Sequence, residues 1–143
     1  MADLVTIQHS DSTNDGSGAS TIMEPPQADN ATDDAILIKV TQSLNNATNV
    51  SNINVTTPTG YTLLRDLRDS ELRSWLYYKR STGSETIPTV TSDTSAKWTC
   101  TTAVVTDVDW VNGGVTQQVS ATGNGDQQSP NLTTDSSGTA SAI

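Results

Sequence analysis

Residues 54–85, NVTTPTGYTLLRDLRDSELRSWLYYKRSTGSE, decide the fold. Pro58-Thr-Gly60 is a turn signal, because Gly accepts the positive φ that such a turn needs. Tyr61-Thr-Leu-Leu64 then reads as a short strand, and residues 65–70 as a charged loop. Residues 71–80 read as a long strand with Trp75, Tyr77 and Lys79 on one face and Leu72, Ser74, Leu76 and Tyr78 on the other. A helix is the rival for 63–79, since Leu64, Leu67, Glu71, Ser74 and Tyr78 fall near helical spacing. The aromatics cluster at one end, and Gly or Pro punctuates both sides, which favours the strand.

Outward from this stretch, residues 35–41 (AILIKVT) form the clearest alternation, with Ile36, Ile38 and Val40 on one face and Leu37 and Lys39 on the other. Residues 96–106 give a second long strand, with Trp98, Cys100, Thr102 and Val104 on one face. Shorter candidates are 4–7, 21–23, 53–56, 87–91 and 115–121. Residues 11–18 (DSTNDGSG), 107–114 and 123–126 read as turns, and 129–143 has little apolar content. About eight short strands at this spacing predict an all-β antiparallel sandwich, jelly-roll-like in topology. The organisation expected is a flexible N-terminal arm over 1–20, with one short strand, followed by a β-sandwich domain over 21–143.

The composition narrows the function. Sixteen acidic residues against seven basic ones give a formal charge of −9, which disfavours a nucleic-acid phosphate backbone as ligand. The basic residues concentrate between Arg65 and Arg80, interleaved with acids, which reads as a mixed-sign surface or subunit contact. Arg65, Arg68 and Arg73 are the candidate interaction residues, together with Trp110, whose place in a turn predicts exposure. One Cys and one His rule out an intrachain disulfide and a Cys/His zinc site. The acidic start, Met1-Ala2-Asp3, does not resemble a signal peptide, and no apolar run reaches membrane-span length, so synthesis in a cytoplasm and no membrane partner are expected.

No residue pattern signals catalysis, and neither a cofactor nor a metal is expected. Asp11, Asp15 and Gly16 echo a calcium loop but Ile22 stands where its closing Glu belongs. Asp107, Asp109 and Asp126 read as acidic loops of a charged surface rather than calcium ligands. His9, Ser10 and Asp11 are neighbours in a turn-rich segment and lack the rigid orientation of a triad. Cys100, beside Trp98 in a strand, reads as a small core residue. Trp75, Tyr77, Tyr78, Trp98 and Trp110 supply core volume to a chain with no Phe, in preference to a sugar-stacking platform. Five Asn-x-Ser/Thr sequons, at Asn30, Asn46, Asn49, Asn54 and Asn131, follow from a composition rich in these residues.

The order of these elements resembles a β-sandwich domain family that recurs in bacteriophage virion proteins and some secreted bacterial proteins. The resemblance is carried by Met23-Glu-Pro-Pro26, by Asp33-Asp-Ala-Ile-Leu-Ile38 and by Thr57-Pro-Thr-Gly-Tyr-Thr-Leu63. It continues through Leu72-Arg-Ser-Trp-Leu-Tyr-Tyr-Lys79, Gly83-Ser84-Glu85 and Asp107-Val-Asp109, and spans about 4–121. The acidic turn departs from it by lacking a Gly before the aliphatic strand, and the chain stops two or three apolar strands short. The resemblance implies a non-enzymatic virion structural protein, foremost a capsid decoration or cement protein, with a tail or fibre component and a carbohydrate-binding adhesive module as alternatives. Its implied partners are the major capsid protein or other virion proteins and further copies of itself. The shortfall implies a sandwich completed by neighbouring subunits, or a product longer than Ile143. The arm, by ordering on a partner, would then make deletion of residues 2–18 weaken particle binding.

Overall fold

The computed structural model describes residues 6–15, 20–43, 53–68, 72–111, 131–135 and 138–142. These residues contain strands and no helix, and they form an antiparallel β-sandwich. The strands are β1 (Thr6–Asp15), β2 (Ile22–Met23), β3 (Thr32–Ser43), β4 (Thr62–Arg68), β5 (Leu72–Thr82), β6 (Val90–Thr91), β7 (Lys97–Thr106), β8 (Asn131–Asp135) and β9 (Gly138–Ala142). Five of them make the main sheet in the order β1-β7-β3-β5-β4. β2 pairs with β6 in a small second sheet, and β8 with β9 in a hairpin.

β3 lies at the centre because its sequence permits burial on both faces. Ala35, Ile36, Leu37 and Ile38 are all buried in succession, the signature of an inner strand. On the inner face of the sheet Ile36, Ile38 and Val40 lie beside Trp75 and Tyr77 of β5 and Cys100 and Trp98 of β7. Met23, Ile53, Tyr61, Ile87 and Val90 close this core from the opposite side. The covering layer is therefore mostly loop: residues 20–31, 53–61 and 83–96, stitched by β2–β6 and by the isolated bridge Val55–Ser92. Burying this cluster supplies the main stabilisation, at roughly 25 cal/mol per Å² of apolar surface removed from water.

The outer face has a smaller apolar cluster at one end. Ala35, Leu37, Ala103 and Val105 are buried there beneath Leu64, Tyr78, Val108 and Trp110. The 107–111 turn makes this cap. It leaves β7 through Asp107, whose φ of 60° reverses the chain. The Trp110 indole Nε1 then donates to the Asp33 carbonyl at 2.6 Å.

Four expectations change. Residues 11–15 are not a turn but the second half of β1, hydrogen-bonded antiparallel to β7 from Thr6 to Asp15. A polar edge strand needs only backbone partners, so composition alone misreads it. Within the segment expected as an arm, 6–15 belong to the main sheet, and deleting 2–18 would remove an edge strand. Residues 65–68 are likewise strand, since Asp66 is neutralised from β5 and β4 can run on to Arg68. In the C-terminal stretch, 131–135 and 138–142 form a hairpin that their low apolar content did not announce. The strand expected over 115–121, and Asp126, lie outside the described residues.

Candidate interaction surface

Pro58, Tyr61, Lys79 and Glu85 meet at one place, where they fasten the covering layer to the main sheet. Pro58 and Tyr61 close a turn through a 3.0 Å backbone bond, with Gly60 at φ 82°. This brings the Tyr61 ring under the Lys79 ammonium, 5.9 Å from the ring centroid. Lys79 also pairs with Glu85, whose other carboxylate oxygen accepts from the Thr82 backbone N and hydroxyl at 2.7 and 2.9 Å. Gly83 shapes this turn at φ 106°; a side chain there would also meet Thr32 Oγ1 at 2.9 Å. Asn30 completes the knot. Its Nδ2 donates to the Ala28 and Glu85 carbonyls, and its Oδ1 accepts from Ser81 Oγ at 2.6 Å and Glu85 N at 3.0 Å. Gln27 repeats the device on Ile87, donating to its carbonyl and accepting from its N–H.

A second fastening lies at the β4 edge. Arg73, 4% exposed, donates from Nε and Nη2 to the two Asp66 oxygens at 2.9 and 2.6 Å. It also donates to the Ile53 carbonyl and covers the Trp75 ring, 4.9 Å from its centroid. A bidentate pair with a backbone acceptor satisfies a guanidinium that water cannot reach.

Both carboxylates are held below their ordinary range. For Glu85 the main cause is its bond from Lys79, and for Asp66 its bond from Arg73, each opposed by burial. A lowered folded pKa means the unfolded chain takes up the proton first as pH falls. The associated stability is complete above the ordinary values of 4.5 and 3.8 and is lost as pH falls through the folded ones. The urea midpoint should therefore be level near neutrality and decline below about pH 4.5. A Lys79→Met variant should show a shallower decline than the parent in the same titration. Equal slopes would mean that the Lys79–Glu85 pair does not set the acid response.

Of the candidate interaction residues, the structure brings none of the arginines into one cluster with Trp110. Arg73 is a core residue of the Asp66 pair, and Arg68 reaches Asp66 at 3.3 Å from a half-exposed position. Trp110 is half-buried rather than exposed, stacked on Tyr78 with centroids 6.4 Å apart and under Arg80 at 5.4 Å. Arg65 lies on the outer face of the sheet. Trp75, Tyr77 and Trp98 are core residues, so they form no aromatic platform. Cys100 is fully buried, with its thiol pushed up to about 12 by desolvation. Among the described residues no group of three or more His, Cys, Asp or Glu could hold a metal ion.

What the sequence reading missed is the company Arg65 keeps. Register places Thr101, Lys39, Leu76 and Arg65 in one row across β7, β3, β5 and β4. Strands spaced about 4.8 Å apart put the Lys39 and Arg65 backbones about 10 Å from each other. Lys97, opposite Ser43, lies on the same face. Lys39 and Lys97 are exposed, and between them lie half-buried Thr41, Ser74, Leu76 and Thr101. Sequence alternation already sets Lys39 opposite Ile38 and Lys97 opposite Trp98, so the signal was present but scattered over three strands. The chain matches no protein-family model, no curated protein and no solved structure.

Proposed function

We propose that the protein is a bacteriophage virion structural protein, foremost a capsid decoration or cement protein that stabilises the shell through surface contacts. One observation carries this reading beyond the resemblance. Polar side chains turn inward to bind the fold together: Lys79 on Glu85, Arg73 on Asp66, Asn30 on Ser81 and Glu85. A module whose most distinctive side chains hold its own layers together offers its outer faces and strand edges as its working parts. Such a protein acts by geometry: binding the assembled shell and not its free subunits stabilises the shell by mass action. The contacts belong to the sheet faces and edges, because 6–15 pair with β7.

The partner on this reading is the major capsid protein or another virion protein, and no catalytic role, cofactor, nucleic acid or membrane enters it. The test is co-sedimentation of labelled protein with purified tailless heads. Saturable binding at a fixed ratio to the major capsid protein is the expected result. Absence of binding to heads, with binding to intact tailed particles, would reassign the protein to the tail or fibre.

A further inference from the structure

The charges of the sandwich are sorted by layer. The covering segments, 20–31, 53–61 and 83–96, contain Glu24, Asp29, Glu85 and Asp93 and not one Lys or Arg. Glu85 is neutralised by Lys79 from the main sheet, which leaves Glu24, Asp29 and Asp93 as an exposed acidic back. The opposite, outer face of β3, β4, β5 and β7 carries Lys39, Arg65, Arg80 and Lys97. From residue 35 onward no Asp or Glu occupies an outward position on these strands. At its capped end Asp33 pairs with Arg80 at 2.8 Å, and Asp107 and Asp109 lie in the adjoining turn. At its other end neither Lys39 nor Lys97 has an ion-pair partner among the described residues. In a chain of formal charge −9, the described strands thus present one cationic, partly apolar sheet face whose only described acids lie at its capped end.

We propose that this face docks the acidic back of a second copy of the same chain. Charge complementarity selects that occupant: the same molecule presents a cationic front and an anionic back on opposite sides of one sandwich. Two fronts, or two backs, repel. Front-to-back contact is heterologous, so a pair retains one free front and one free back, and association is open-ended unless a curved support closes it. The contact also covers Leu76 and the aliphatic stems of Lys39 and Lys97, which long cationic side chains can bury while their heads meet carboxylates. This inference needs only the fold and its charges, and it stands or falls apart from the virion reading.

Sedimentation velocity over a concentration series tests it with the full chain. At about 20 mM salt the weight-average mass should climb with concentration, and at about 500 mM, where the screening length is only a few Å, it should return to the monomer. K39E/K97E and E24K/D29K should each lose at least about tenfold in association, each with an unchanged unfolding midpoint. Mixing the two variants should restore association, because the reversed front of one then meets the reversed back of the other. A monomer at every concentration in low salt would overturn the proposal, as would association that ignores salt. Undiminished association of E24K/D29K would overturn it too, because it would leave the acidic back without a role.

Discussion

Replacing Arg73 with alanine is expected to lower the unfolding free energy by about 3 kcal/mol, as much as any single change outside the apolar core. The reason is what the guanidinium leaves behind. Asp66 loses both of its bonds from Arg73, and the Ile53 carbonyl loses a donor in the covering layer. The Trp75 ring loses the cation above it as well. Arg73→Lys should recover little, because one ammonium cannot span two carboxylate oxygens and reach Ile53 together. The check is a double-mutant cycle with Asp66→Ala, followed by urea unfolding. A coupling of about 2 kcal/mol or more is expected, since each partner is strained by the loss of the other. Additive losses would show that the two side chains act independently and that Arg73 matters only for its packing.

Asn30→Ala is expected to cost about 3 kcal/mol, and Asn30→Asp no less, although aspartate has nearly the same shape. The amide is used to capacity: two donors and a doubly accepting oxygen reach four groups on three different residues. Alanine removes all four bonds, leaving Ser81 Oγ with only the Gly83 N–H. Aspartate is worse placed than its shape suggests, because it turns the two N–H donors into an oxygen facing the Ala28 and Glu85 carbonyls. It also adds a negative charge next to Glu85. Urea unfolding gives the magnitude. Hydrogen exchange of the Glu85 amide, which Asn30 holds in the parent, reports whether the loss is local to this knot. If Asn30→Asp unfolds like the parent, the amide donors contribute nothing and the knot rests on Lys79 and Glu85 alone.

The strands that alternate cleanly were legible because their side chains record burial directly. In β5, Trp75 and Tyr77 point inward and Ser74, Leu76 and Tyr78 outward, as their period of two requires. β7 and β3 follow the same rule, and the sandwich follows from them. The parts that were not legible depend on partners far along the chain. β1 looks like a turn because Ser, Asn and Asp favour turns when nothing pairs with them, and β7 pairs with them about ninety residues later. Asn30 and Glu85 look like ordinary loop residues, since nothing local reveals that they meet across 55 positions. Asp66 reads as solvated because Arg73, its partner, lies on the next strand. Its place in a turn predicts exposure for Trp110, whereas its indole N–H has a backbone acceptor, Asp33, 77 residues upstream. The candidate surface was half visible: the arginines were singled out, but only register separates Arg65, on the outer face, from the buried Arg73.

The order β1-β7-β3-β5-β4 also fixes the order in which the chain can be completed during synthesis. β3 acquires β5 on one side, but its other side waits for β7, which begins at Lys97, long after β3 ends at Ser43. β1 waits equally, since β7 is its only neighbour among the described strands. At translation rates of about 5–20 residues per second, the most apolar segment of the protein spends on the order of several seconds with one backbone edge unpaired. The strand that ends this interval is an inner one, inserted between two already made, and such non-local pairing is slow. Soluble yield and finished stability are thereby separate quantities. The first is set by how long β3 waits for β7, the second by what packs against it afterwards.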